Sequence, residues 1–274
     1  MTLYLVGLPI GNINEINQRA IITLRNLKVI YCEHTDNFKQ LLNLLKINYK
    51  DKKIISYHKF NETSRFNEIV DYLSSTDVGL VSDAGYPCIN DPGQKLVEYL
   101  RSNNLNDIVC VNGSNAALCA LASSGFGSST FYYGGFLGYK KQEIINEINE
   151  KLKYQTTLIY YESVHRIKNT LEVLNESFSD LQICVARELT KKFETLYFGN
   201  IQDIINKIEY KGEFVILINK PADIKQDNAI SSEIIDELNK LIEYKMRPKD
   251  ACKYLADKYN LKTSDLYAVC IKKR

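Results

Sequence analysis

Through its first half the sequence alternates short apolar runs, bounded by turn residues, with stretches of helical period. The runs are Leu3 to Val6, Val29 to Cys32, Ile54 to Tyr57, Val78 to Ser82 and Ile108 to Val111. Between them lie Ile13 to Leu27, Phe38 to Leu45, Ser64 to Leu73 and Gln94 to Arg101. Such a pattern belongs to parallel strands joined by helical crossovers, because hairpins need no helix between their strands. It predicts a mostly parallel α/β sheet covered on both faces.

The small residues of Ser123 to Ser129 suit a hinge, and beyond them α/β texture resumes. Strands are expected at Phe131 to Tyr133, Thr157 to Tyr161, Gln182 to Ala186 and Glu213 to Ile218, with helices at Lys140 to Lys153, Ile167 to Asn175 and Ile201 to Ile208. A second, mixed sheet follows. From about Asn228 the strands stop, and Ser231 to Tyr244, Pro248 to Tyr259 and Thr263 to Ile271 read as three short helices, with Ser231 and Thr263 as caps and Pro248 in a first turn. The expected organisation is an α/β domain over 1–122, a second over 123–222, a cleft between them, and a small helical, helix-turn-helix-like tail over 228–274.

Charge is distributed unevenly. The 274 residues carry a net +2, yet residues 239–274 hold ten Lys/Arg against four Asp/Glu, leaving the rest acidic. A uniformly cationic nucleic-acid coat is excluded and a local basic patch is not. Tyr244, Tyr254, Tyr259 and Tyr267 interleave with lysines there, a pattern that suits RNA through stacking and phosphate contacts, with Lys249 and Lys253 as candidates. A solubilising helical cap is the bland alternative. Seven scattered cysteines, none spaced as CxxC, support neither a disulfide framework nor a zinc module, and no metal site is expected. With no span-length apolar run and no leader-like start, a cytoplasmic protein without a membrane partner is expected.

Three loops carry candidate chemistry, each after a strand, at the edge where open α/β sheets bind ligands. The first, Gly7-Leu8-Pro9-Ile10-Gly11-Asn12, is neither a dinucleotide fingerprint nor a P-loop, and a tight turn explains it as well. The second, Ser82 to Gly93, holds two Gly, two Pro and two Asp in twelve residues, an unusually constrained composition for a merely structural loop. The third is Val111-Asn112-Gly113-Ser114-Asn115-Ala116-Ala117. In the second half, Tyr161-Glu162-Ser163-Val164-His165-Arg166 and Ala186-Arg187-Glu188-Leu189-Thr190-Lys191 place charges directly after strands. A solvated helix start accounts for the Glu residues but not for the Arg residues, which suit an anionic substrate.

Taken in order, these blocks, together with Gly134-Gly135-Phe136-Leu137, resemble the bacterial small-subunit rRNA methyltransferase I family, of the tetrapyrrole methylase-like class. The resemblance covers essentially the whole chain. It implies two α/β domains, a homodimer, and S-adenosylmethionine held in the cleft with no metal. Donor contacts would come from Pro9, Ile10, Asp83, Tyr86, Asn115, Ala116, Tyr161 and Ala186. The implied reaction is 2′-O-methylation of a cytidine ribose in 16S rRNA or the small ribosomal subunit, at cytidine 1402 of the decoding centre. The family's usual Thr is Tyr86 here, its Pro-Gly-Pro-Ser is Asn112 to Asn115, and its Glu-Asp-Thr-Arg is Glu33-His34-Thr35-Asp36.

A ribose hydroxyl is a poor nucleophile, so transfer needs alignment and a proton acceptor. Glu162, His165, Glu188 and Lys191 are the candidates, Lys191 only if its pKa is lowered. Arg166 and Arg187 would clamp phosphates, and Glu33 would orient the nucleotide. A small-molecule, tetrapyrrole-type methyltransferase and a non-catalytic RNA-binding assembly factor are the competing readings.

Overall fold

The structure, a computed structural model, describes residues 1–219, 232–259, 261 and 263–272. In chain order its first half forms β1 (Thr2–Val6), α1 (Gln18–Asn26), β2 (Val29–Cys32), α2 (Thr35–Leu44), β3 (Lys53–Ser56), α3 (Phe66–Leu73), β4 (Val78–Val81), α4 (Gln94–Ser102), β5 (Asp107–Val111) and α5 (Ala116–Ser124). The five strands make one parallel sheet in the order β3-β2-β4-β1-β5. All residues of β2 and β4 are buried, as expected for strands covered on both faces. Ile30 and Cys32 join the core beneath α1 and α2, while Val29 and Tyr31 join that beneath α3 and α4. The first helix starts later than its apolar pattern suggests, because Asn17 caps it by accepting from the Ala20 amide at 2.8 Å.

The second half forms β6 (Phe131–Phe136), α6 (Lys141–Leu152), β7 (Thr157–Glu162), α7 (Ile167–Ser177), β8 (Gln182–Arg187), β9 (Thr195–Asn200), α8 (Ile201–Lys207) and β10 (Phe214–Ile218). Its sheet is mixed, in the order β6-β7-β10-β8-β9, with only the β6–β7 pair parallel. Strand β9 is absent from the sequence expectation. It lies at the sheet edge with Leu196 and Phe198 exposed, so it lacks the usual apolar-in, polar-out signature.

The two sheets share a helix. Ala117, Ala120 and Leu121 of α5 pack with Ile159 of β7, Ala186 of β8 and Leu217 of β10, and Ile10 of the first loop joins the same cluster. The division expected at 122/123 thus falls inside α5. The small-residue stretch after it is anchored: Gly125, in the left-handed region at φ 73°, ends the helix, Phe126 is buried, and Thr157 donates to the Gly127 carbonyl at 2.7 Å.

Two compact units result, Met1–Lys220 and Pro221–Arg274. The second consists of α9 (Ser232–Glu243), α10 (Pro248–Tyr259) and α11 (Thr263–Lys272) around Leu238, Ala251, Leu255 and Leu266. Pro248 opens α10 as expected. Thr263 is the first residue of α11 rather than its cap, and the expected onset near Asn228 and cap at Ser231 lie outside the described residues.

Close backbone approach ties the first and third loops. A Cβ on Gly113 would stand 2.5 Å from the Gly7 carbonyl carbon, and one on Gly7 would stand 2.8 Å from Gly113 Cα. Gly113→Ala should therefore destabilise the protein by about 1–3 kcal/mol in urea titration. Gly127→Ala, where an added Cβ meets nothing within 4 Å, should change stability by less than about 0.5 kcal/mol.

Candidate active site

The carboxyl edge of the first sheet is an interlock of three loops. Leu8 and Gly85 exchange backbone hydrogen bonds at 2.8 and 3.1 Å, and the Gly7 amide donates to the Val111 carbonyl at 3.0 Å. The Tyr86 hydroxyl accepts from the Gly113 amide at 2.8 Å and donates to the Asn112 side chain. Tyr86 is thus a tie between the second and third loops. A fourth element joins through Asp83, which accepts from the His34 amide at 3.3 Å, the Asn37 side chain at 3.0 Å, and pairs with His34 Nδ1 at 2.7 Å. Potential ligand atoms of Glu33, His34 and Asp83 lie within 4.8 Å of one another, the one such group among the described residues.

Most of the expected donor contacts gather around this interlock. Pro9, Ile10 and Asp83 line a cavity of about 340 Å³ that also touches Lys191 and Glu213. Asn115 caps α5 through the Leu118 amide at 3.0 Å, leaving Ala116 at the helix start. From the second sheet, Tyr161 and the buried Ala186 belong to the same apolar cluster as Ile10 and Ala116. The Gly85 position, at φ 67°, opens between Ile10 Cγ2 and the Ser114 carbonyl, each 3.6 Å from where a Cβ would stand. Tyr133 meets Tyr161 edge to face at 5.2 Å, and its hydroxyl is buried. A larger cavity of about 520 Å³ lies at the opposite, amino-terminal edge around Met1, Lys28 and Asp77, and gathers none of these loops.

The charged residues after β7 and β8 are mostly engaged inside the fold. Glu162 is buried and accepts from the Ser163 amide at 2.8 Å and the Thr170 hydroxyl at 2.7 Å. Arg166 donates to the Leu137 and Gly138 carbonyls, both at 2.7 Å, and stacks on Tyr139 at 4.3 Å. Arg187 is buried, donates to the Lys211 carbonyl at 2.7 Å and pairs with Glu209 at 3.0 Å. Neither arginine is held free for phosphate, because each satisfies carbonyls that would otherwise lose their hydrogen bonds on burial. His165 is exposed.

Glu188 and Lys191 form a pair at 3.0 Å, and Lys191 also meets Glu213 at 2.9 Å. Burial lowers the Lys191 pKa, but hydrogen bonds to Glu213 and Glu188 outweigh it and hold the ammonium above the ordinary lysine range. The condition for Lys191 to act as a base is therefore not met. Burial raises the Glu188 carboxyl, and the Lys191 bond and the Glu213 amide outweigh that to hold it below the usual range. Glu188 also sits in the left-handed region at φ 50°.

One titratable group assigned no role from sequence stands out. Asp91, in the second loop, is pushed up to about 6 by burial first and then by the neighbouring Glu33 carboxylate, against a Ser82 hydrogen bond and the Lys59 charge. Its membership of the constrained Asp91-Pro92-Gly93 turn was visible in sequence. Its partners come from distant segments and were not.

With this geometry in hand, likeness to known proteins becomes informative. Residues 2–205 match the family of tetrapyrrole (corrin/porphyrin) methylases. The chain is 37% identical to the ribosomal RNA small subunit methyltransferase I of Mycoplasma pneumoniae, over 97% of each chain. It is 39% identical to the Bacillus subtilis protein of the same name, over 79% of this chain and 74% of that one. Among solved structures, diphthine synthase superposes with a TM-score of 0.63 at 10% identity, covering 80% of this chain and 90% of the other. The methyltransferase CobJ gives 0.60 at 15%, covering 81% and 94%. These two likenesses concern the fold alone.

The Glu188–Lys191 pair carries a pH signature. A lowered glutamate contributes stability above its unfolded pKa and loses it as pH falls through the folded value, whereas a raised lysine contributes until pH rises through its own. Lys191→Met should lower the melting temperature at pH 8, and the deficit should narrow as pH drops through the lower end of the glutamate range. A deficit independent of pH would point to packing alone.

Proposed function

The chain belongs to the tetrapyrrole methylases and, within them, to the ribosomal RNA small subunit methyltransferase I family, and from that premise we propose that it methylates the 2′-hydroxyl of a cytidine ribose in small-subunit rRNA, with S-adenosylmethionine as donor. The observation that carries this reading is likeness to rRNA methyltransferases along nearly the whole chain, combined with a three-loop ligand edge in the same molecule. When bound, S-adenosylmethionine supplies a methyl group activated on a sulfonium. The residues present suit such a molecule: open space at Gly85, an apolar wall from Ile10 and Ala116, and the buried Tyr133 hydroxyl beside Tyr161. Pro9, Ile10, Asn115, Ala116, Tyr161 and Ala186 would hold it, with Asp83 and Tyr86 keeping the loops in place.

The RNA-facing role falls to the second unit. Lys249 and Lys253 are exposed on α10, and Tyr244, Tyr254, Tyr259 and Tyr267 are 85, 50, 37 and 41% exposed, so a cationic and aromatic surface is available. Glu33, half-buried at the sheet edge, orients the nucleotide. On this reading the protein acts in the cytoplasm as a homodimer, on 16S rRNA or the assembled subunit, at the decoding-centre cytidine. No helix among the described residues is long and apolar enough to cross a membrane.

The direct test supplies the protein with S-adenosylmethionine and small subunits lacking the modification, then digests the RNA for mass spectrometry. A single 2′-O-methylcytidine is expected, and a methylated base or an unmodified RNA would sink the assignment. Replacing Lys249 and Lys253 by Ala should weaken RNA binding and reduce the slope of log affinity against log salt by about 2, with donor affinity unchanged.

A further inference from the structure

We propose that the Asp91 carboxylate accepts the proton of the ribose hydroxyl during methyl transfer, an inference that rests on the function proposed above. The loop that carries Asp91 is held firmly. The Gly93 amide donates to buried Glu62 at 3.4 Å, Glu62 pairs with Lys95 at 2.8 Å, and the Cys88 amide donates to the Pro92 carbonyl at 3.3 Å. Cys88 and Asn90 sit in the left-handed region at φ 72° and 67°. Asn90 reaches the second sheet: its side-chain oxygen is 2.9 Å from where a Cβ on Gly135 of β6 would stand. Asp91, the next residue, is half-buried in this loop at the carboxyl edge.

Its surroundings come from several elements. Ser82 and Asp83 at the end of β4, Glu33 at the end of β2, Lys59 in the turn after β3, and Cys88 in its own loop are within electrostatic reach of it. Tyr133 of β6 and Tyr161 of β7, on the second sheet, are close enough for its charge to act on them. Asp83 ties the donor-site loops and Tyr161 would hold the donor, so Asp91 is within electrostatic reach of that site. The other candidate bases are less well placed. Glu162 is closed in by Ser163 and Thr170, Glu188 and Lys191 neutralise each other, and His165 lies exposed after β7.

The chemistry balances without a further reactant. As the bond from the 2′-oxygen to the methyl carbon forms and the methyl–sulfur bond breaks, the O–H bond breaks and its proton passes to Asp91. The sulfonium leaves as a neutral thioether. A carboxylate with a pKa of about 6 remains charged at neutral pH and is a stronger base than an ordinary aspartate.

The same placement predicts a stability signature that a merely structural aspartate lacks. A folded-state pKa raised above the unfolded value means that ionised Asp91 opposes folding. The stability that its protonated form contributes is full below the ordinary aspartate pKa and is lost as pH rises through about 6. The near-isosteric Asp91→Asn should therefore melt higher than wild type at pH 8 and converge with it near pH 4. Its turnover on small subunits should fall by about 100-fold or more, with the calorimetric affinity for S-adenosylmethionine within about twofold of wild type. The acid limb near pH 6 in the wild-type turnover profile should vanish in the variant. Full turnover by Asp91→Asn, loss of donor binding, or a lower melting temperature at pH 8 would each overturn the proposal while leaving the functional reading intact. A wild-type protein that binds the donor yet methylates no RNA would overturn both.

Discussion

At Gly7 and Gly113 two backbones pass each other with no room for a side chain on either. That contact sets the distance between the loops after β1 and β5, and the Leu8–Gly85 bridge then brings in the loop after β4. Strand order makes it possible. With β1 lying between β4 and β5, the three strand ends emerge side by side and the crossovers diverge around them, which is where open α/β sheets form their ligand crevice. Tyr86 and Asp83, both read from sequence as ligand contacts, complete the construction by tying this edge together.

The second sheet is joined to this edge through packing more than through charge. Helix α5 leaves the third loop and lays Ala117, Ala120 and Leu121 on the second sheet, with Ile10 in the same cluster. Small residues allow the close approach, and they place the loops of the first sheet opposite Tyr133 and Tyr161 of the second. The ionic groups of β7 and β8 secure the loops behind that wall. Arg166 and Arg187 answer backbone carbonyls, and Lys191 answers two carboxylates. Asp91 is left half-buried, and burial first and then the Glu33 carboxylate raise its pKa.

What was legible in the sequence follows from the same physics. Central strands such as β2 and β4 announce themselves as continuous apolar runs because both faces are covered. The loops announced themselves through Gly and Pro, since close backbone approach excludes most other residues. Strand β9 was hidden because its Leu196 and Phe198 face outward. The bridging role of α5 was hidden because a short helix mostly of small residues shows no clear apolar stripe. The charged clusters were visible, but not which arginine would find a carbonyl or which acid would be left among other acids. Those outcomes depend on segments as far apart as Glu33, Lys59, Asp91 and Tyr161, and only the fold brings them together.

On the function proposed above, the interlocked edge is where the methyl donor binds. Hydrogen exchange of the full chain with and without S-adenosylmethionine measures this most directly, since amides that close over a ligand gain protection. Increased protection is expected in residues 7–12, 82–93 and 112–117 and in the strand ends at Tyr161 and Ala186, with residues 232–272 unchanged. Protection confined to residues 232–272, or to the amino-terminal edge around Lys28 and Asp77, would contradict it.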